Sequence, residues 1–206
     1  MCIRDSIYSA PIEKQVLRKF IDSIAHAGLG LELYSRTDSY VDRENWITEI
    51  QNNYFGLKFK LIDFKKDLPH DDIIKGGMVT ASQQEEETIR EIGRRFDIDL
   101  YFSWAKTPAY PEMNFINITR AGVSKGKALN ALLNHLNIAP EQVLAIGDGT
   151  NDISLLSTAG FSVAMQNAPE QLKELADYIT SDVDSSGVAQ ALDKFILNPV
   201  SERTNA

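Results

Sequence analysis

The apolar run QVLAIG, residues 142–147, stops abruptly at Asp148 and gives way to GTND before a helical pattern begins. A short, nearly continuous apolar run with turn residues at its end suits a strand covered on both faces, as in a parallel sheet clad with helices. The neighbouring sequence must then alternate helices with strands, and it does. Ser124 can cap a helix whose apolar stripe is Ala128, Leu129, Leu132, Leu133 and Leu136. A helix is predicted from about Asn151, a strand over FSVAM, a helix after Pro169, a strand over DYIT and a last helix over GVAQALDKFIL. Residues 119–198 therefore read as a parallel α/β sheet.

Residues 7–118 mix helices with paired, alternating strands, an α+β pattern. After Pro11, the residues Ile12, Val16, Leu17, Phe20, Ile21 and Ile24 recur at helical spacing, and Gly28 and Gly30 stop that helix. LELYS (31–35) alternates like a half-buried strand; helical spacing resumes from about Arg43, and LKFKLID (57–63) alternates again. DDIIKGGMVTAS reads as a strand leading to Ser82, which can cap the helix QQEEETIREIGRRF. DIDLYFSW and EMNFINITR are predicted to pair across a loop holding Pro108 and Pro111. The acidic run Glu85–Glu87 reads as a solvated helix face, and Tyr40, Trp46 and Trp104 as core. The opening MCIRDS fits nothing that follows and reads as a junction, and the tail NPVSERTNA as loose.

A chain of 206 residues suffices for one large domain or two small ones. A net charge of −8 argues against a nucleic-acid partner held by phosphate neutralisation. The single cysteine, Cys2, excludes an internal disulfide and suits a reducing, cytoplasmic setting. No apolar run approaches a membrane span and no secretory signal is visible, so no membrane partner is expected.

The chemistry is expected at the end of QVLAIG, because ligands of parallel sheets sit at the carboxyl ends of strands. A lone Asp there is most often a turn or capping residue. Here Asp148 and Asp152 share one turn with Asn151. That density of oxygen ligands suits a hard cation such as Mg²⁺, which binds few carboxylates and keeps several waters. An EF-hand loop spaces its ligands differently. A cation held this way often works with phosphate. Lys125, at a helix start within GVSKGKAL, is the basic candidate, and Lys127 is the control that no motif singles out. His26, His70 and His135 have no partners at useful spacing.

GVSKGKAL, IGDGTNDISLL, VAMQNAPEQLKELADYIT and GVAQAL follow one another as in the Cof-type haloacid dehalogenase-like (HAD, subfamily IIB) phosphatases, which the chain resembles over 119–195 and, by element order, over 7–118. The resemblance implies a HAD-like Rossmannoid parallel sheet with an α+β cap of the C2 type. Residues 1–118 would form the cap and 119–206 the C-terminal part of the core. It implies a Mg²⁺-dependent phosphohydrolase of small phosphorylated metabolites, often sugar phosphates, working through an aspartyl-phosphate. Lys125 would contact the phosphoryl group, Asp148 would bind the metal and Asn151 the phosphate. Asp152 would support the metal site through water or hydrogen bonds, and Asn167 would orient the site.

The family's nucleophile motif, Asp-x-Asp-x-Thr after an apolar strand, is not found. Asp5, the pair Asp97 and Asp99, and the pair Asp182 and Asp184 all stand in the wrong setting. The sheet is thus expected to be incomplete, lacking its first strand, and the chain by itself inactive. Asn117 stands where the family often has Glu. The alternative is a non-catalytic chain binding a phosphometabolite or a partner; a receiver-like domain would lack an inserted cap.

Overall fold

The computed structural model describes residues 7–107 and 109–198, which fall into two compact units, 9–123 and 124–198, with residues 7–8 grouped with the second. Among the described residues, no helix is long and apolar enough to cross a membrane.

The first unit is a six-stranded sheet with helices. Its elements run α1 (Lys14–His26), β1 (Glu32–Tyr34), β2 (Ser39–Val41), α2 (Trp46–Phe55), β3 (Phe59–Leu61), β4 (Lys75–Thr80), α3 (Gln83–Arg95), β5 (Leu100–Thr107) and β6 (Tyr110–Arg120). The strand order is β3-β2-β1-β4-β6-β5, antiparallel throughout except for β2 against β3. The predicted stripe of α1 is buried at Leu17, Phe20, Ile21 and Ile24. Phe20 meets Phe96 and Phe102 edge-on at 5.4 and 5.8 Å, joining α1 to the end of α3 and to β5. The helix starts three residues beyond Pro11; ahead of it the Ile12 amide donates to the Ile73 carbonyl at 2.8 Å.

Several expectations change here. Pro111 lies within β6 rather than in the connecting loop, and residue 108 is outside the described residues. Trp46 opens α2 and is 43% exposed, whereas Tyr40 is buried with its hydroxyl on Asp71. Trp104 packs at the edge of the core beneath the Arg90 guanidinium, 4.0 Å away. The acidic run is more than a solvated face. Glu85 closes a capping box with Ser82, and Glu86 pairs with Arg90 and accepts from Asn114. In β1, alternation would send Glu32 to solvent, yet it is as buried as Leu31 and Leu33. The cause is tertiary: α2 brings Gln51 to that side, and its amide donates to Glu32.

The second unit runs α4 (Lys125–Leu136), β7 (Leu144–Gly147), α5 (Ile153–Leu156), β8 (Phe161–Met165), α6 (Glu170–Leu175), β9 (Tyr178–Thr180) and α7 (Gly187–Leu192), with a π-helical turn over 193–197. Its three strands are parallel in the order β7-β8-β9. β7 has one strand neighbour among the described residues, and its burial alternates, with Leu144 and Ile146 only half-buried. Coverage on both faces was predicted; a strand at a sheet edge meets fewer side chains. The α4 stripe is likewise buried at Leu133 but exposed at Leu132 and Leu136. β6 runs to Arg120, past the boundary expected after residue 118.

Candidate active site

The three parallel strands end at one edge of their sheet, so Asp148, Asn167 and Asp182 emerge from the same side. Asp148 is exposed, and among the described residues its carboxylate makes no hydrogen bond or ion pair. After it the chain turns through a single 3₁₀ turn, Thr150–Asp152, into α5. That turn is drawn together by Asp152. Its Oδ2 accepts the amides of Asp148 and Gly149 at 3.1 and 3.2 Å, and its Oδ1 pairs with the Lys125 ammonium. Asp152 is 3% exposed. Burial alone would push its carboxyl group up, but Lys125 and the two amides outweigh that and hold it below the usual carboxylate range. Both oxygens are thus engaged.

Lys125 keeps about half its side chain in solvent, so its ammonium is held on one side and open on the other. Its place is set by packing. Ser124 caps α4 by accepting the Lys127 amide, and the next residue, Gly126, lies against the start of α5. The Gly126 amide donates to Ser154 Oγ at 3.1 Å, and a Cβ on Gly126 would run into the Ser154 carbonyl. Gly147 is similarly tight, since a Cβ there would lie 2.6 Å from that of Asp152. Sequence reasoning missed the Gly126–Ser154 contact. A glycine in the first turn of a helix, where it lowers helix stability, was the available signal.

Lys125, Asp148 and Asp152 are therefore brought together by direct contacts, with Asn151 exposed on the same turn. Asn167 sits exposed on the turn that closes β8, where the Ala168 amide returns to the Met165 carbonyl; it shares the sheet edge but touches none of the three. Asp182 Oδ1 accepts the Ser185 amide at 2.8 Å and so shapes its own loop. Asp97 and Asp99 belong to the α3–β5 connection of the other unit, and Asp5 lies outside the described residues.

The model of the haloacid dehalogenase-like hydrolases matches residues 3–192. The chain belongs to this family. A phosphoglycolate phosphatase of Methanothermobacter thermautotrophicus is 40% identical to this chain over 111 residues, 53% of this chain and 46% of that protein. The chain thus spans less than half the length of that curated relative. Among solved structures, a haloacid dehalogenase-like hydrolase from Bacteroides thetaiotaomicron superposes with a TM-score of 0.75 at 25% identity, covering 90% of this chain and 68% of that one. A HAD subclass IIB sugar phosphatase superposes with a TM-score of 0.73 at 23% identity, covering 92% and 69%, which shows the shared fold.

In this chain the arrangement offers an ammonium fixed on one side, a solvent-facing carboxylate and an exposed amide on one turn. Such a set can bind an anion and a hard cation together. Among the described residues, no three His, Cys, Asp or Glu side chains gather into a metal-holding group. A cation that keeps most of its waters needs only one or two carboxylates, and the unpartnered Asp148 suits that role.

Proposed function

We propose that this chain is part of a phosphatase of small phosphorylated metabolites, sugar phosphates first among them, that works through an aspartyl-phosphate in the cytoplasm. The observation that carries the reading is the Lys125–Asp152–turn constellation beside the exposed carboxylate of Asp148. Lys125 would bind a phosphoryl oxygen with the open side of its ammonium. Asp152 would hold that ammonium in place, and would hold the Asp148 turn closed. Asn151 would donate its amide to a phosphate oxygen, and Asn167 would help orient the site from the next strand. Asp148 would hold Mg²⁺, with Asp152 acting on it only indirectly. When bound, the cation would neutralise charge on the phosphoryl oxygens. The relatives' printed activities and the single cysteine support the phosphatase and cytoplasmic parts of the reading.

No Asp-x-Asp-x-Thr occurs among the 206 residues, so the nucleophile has to come from elsewhere. The test is hydrolysis of para-nitrophenyl phosphate with Mg²⁺. The 206-residue chain is expected to be inactive, and a longer protein supplying the motif to be active. In that protein Asp148→Asn should abolish turnover while leaving the fold intact. Robust activity of the 206-residue chain that disappears on Asp182→Asn or Asp97→Asn would overturn this assignment.

A further inference from the structure

The sheet of the 9–123 unit has two unlike edges. At one end of the strand order stands β3, three residues long, preceded by Lys58 and carrying Lys60, which pairs with Asp38. Short strands and lysines are the usual guards of a sheet edge. At the other end stands β5, eight residues long, with Lys106 its only charged side chain. β5 pairs with β6 alone among the described residues, so the backbone groups on its outer side meet no strand. Apolar side chains also lie open here, Ile98 at 87% exposure and Tyr101 at 55%.

A groove of about 360 Å³ follows this edge between α3 and β5. Its floor is the helix-facing row of β5, Leu100, Phe102 and Trp104. Its wall is the face of α3 that repeats as Arg90, Gly93, Arg94 and, past the helix end, Asp97. Arg90 stands over Trp104 and Gly93 over Phe102, so α3 runs antiparallel to β5. A Cβ on Gly93 would lie 3.5 Å from the Phe102 ring, an ordinary contact. Packing therefore does not demand glycine, which lowers helix stability; its effect is to leave the groove open above Phe102.

Charge along this edge has a direction. α3 begins with Glu85, Glu86 and Glu87 and ends with Arg94 and Arg95. Arg90 and Arg95 pair with Glu86 and Glu91, whereas Arg94 has no hydrogen bond or ion pair among the described residues. β5 is preceded by Asp97 and Asp99 and carries Lys106 near its end. A second copy turned about a two-fold axis presents each end to its opposite: the arginine end of α3 to the glutamate end of the other helix, and the Asp97–Asp99 end of β5 to Lys106 of the other strand. With the axis at Ser103, Phe102 lies opposite Trp104 of the second copy, on the groove side where Gly93 leaves room for the ring.

We propose that this chain associates with a second copy of itself along β5, the two strands pairing antiparallel about a two-fold axis at Ser103 and each groove receiving Trp104 of the other copy. The pairing gives the outer backbone groups of both strands their partners at once. The inference is independent of the phosphatase reading, since it uses residues of the 9–123 unit alone and concerns association rather than turnover.

Sedimentation equilibrium of the 206-residue chain across a range of concentrations tests it. A reversible dimer of about 46 kDa is expected, twice the 23.0 kDa of the chain. Ser103→Lys and Ser103→Glu each set like charges across the axis and should weaken the dimer roughly tenfold or more, and their equimolar mixture should restore it. In a Cys2→Ser background, Ser103→Cys should form a disulfide-linked dimer on mild oxidation, and Leu61→Cys, on the opposite edge, should not. Tryptophan fluorescence checks that each variant is folded, and where a charged variant is not, the cross-link decides. A parent chain that stays monomeric or forms an open-ended assembly, a dimer that either charged variant leaves intact, a mixture that fails to restore it, or a Ser103→Cys chain that cross-links no better than Leu61→Cys would overturn the proposal.

Discussion

At the scale of single residues, Asp152 joins stability to the site. Removing its carboxylate leaves the amides of Asp148 and Gly149 without their acceptor, while the half-exposed Lys125 can return to water. Asp152→Ala should therefore destabilise the chain by about 2 kcal/mol, measured by urea titration. Because its folded pKa is lowered, the stability that Asp152 contributes is present above the ordinary Asp range and is lost as pH falls through the lowered value. In a longer protein that supplies the nucleophile motif, the proposed phosphatase, Lys125→Ala should cost turnover roughly 10²–10³-fold, the scale expected for one preorganised electrostatic contact. Lys127→Ala should behave nearly as wild type, since among the described residues its backbone amide bonds Ser124 and its side chain is engaged in no hydrogen bond or ion pair. Equal effects of the two substitutions in a steady-state assay would remove Lys125 from the site.

At the scale of elements, caps and close approaches matter more than propensity. Ser82 and Glu85 satisfy three amides at the start of α3: Ser82 accepts from Glu85, and Glu85 accepts from Ala81 and Ser82. Ser82→Ala should cost about 1 kcal/mol in thermal or urea unfolding, because it removes one of these acceptors at the helix start. The α4–α5 contact is less forgiving. Gly126→Ala places a methyl against the Ser154 backbone, which cannot swing aside as a flexible side chain would. The start of α4 must shift, taking Lys125 with it, so a larger loss than for Ser82→Ala is expected, together with loss of the Lys125–Asp152 pair in a crystal structure of the variant.

At the scale of the whole molecule, the two units should answer acid differently. Burial raises the folded pKa of Glu32, so deprotonation opposes folding there. The unit 9–123 should gain stability as pH falls through that raised value toward the ordinary carboxylate range, and Glu32→Gln should lack the gain. Both tryptophans, Trp46 and Trp104, lie in this unit, so their fluorescence during urea unfolding at stepped pH reads it selectively. Aspartates with lowered values stand in both units, Asp38 and Asp63 in the first and Asp152, Asp177 and Asp182 in the second, so both units lose stability only at lower pH and the gain from Glu32 is what sets the first apart. The cores differ too. The first unit buries Phe20, Leu33, Ile89, Ile116 and Ile118 in one cluster, whereas the second relies on Ala145, Leu156, Ala164, Ala168 and Leu172. Larger side chains bury more apolar area, so amides of β4 and β6 should exchange more slowly than those of β7 and β8.

Periodicity and turn chemistry in the sequence determine the order of elements: α1 and its buried stripe, the Ser82 and Ser124 caps, and the strand-turn-helix that ends in Asp148 and Asp152. These are local properties, readable over a few residues. The family is legible for the same reason, because GVSKGKAL and IGDGTNDISLL are contiguous motifs. Contacts between distant segments are not local, and only the tertiary structure decides them. Asp152 closes its own turn and meets Lys125 from α4, twenty-seven positions away, because Gly126 lets α4 approach Ser154. Trp46 faces solvent because of where α2 lies against the sheet. Glu32 is buried against the alternation of its own strand because Gln51 and Tyr34 enclose it, and a carboxylate two strands from Asn117 acquires an environment that no window of sequence around it could announce.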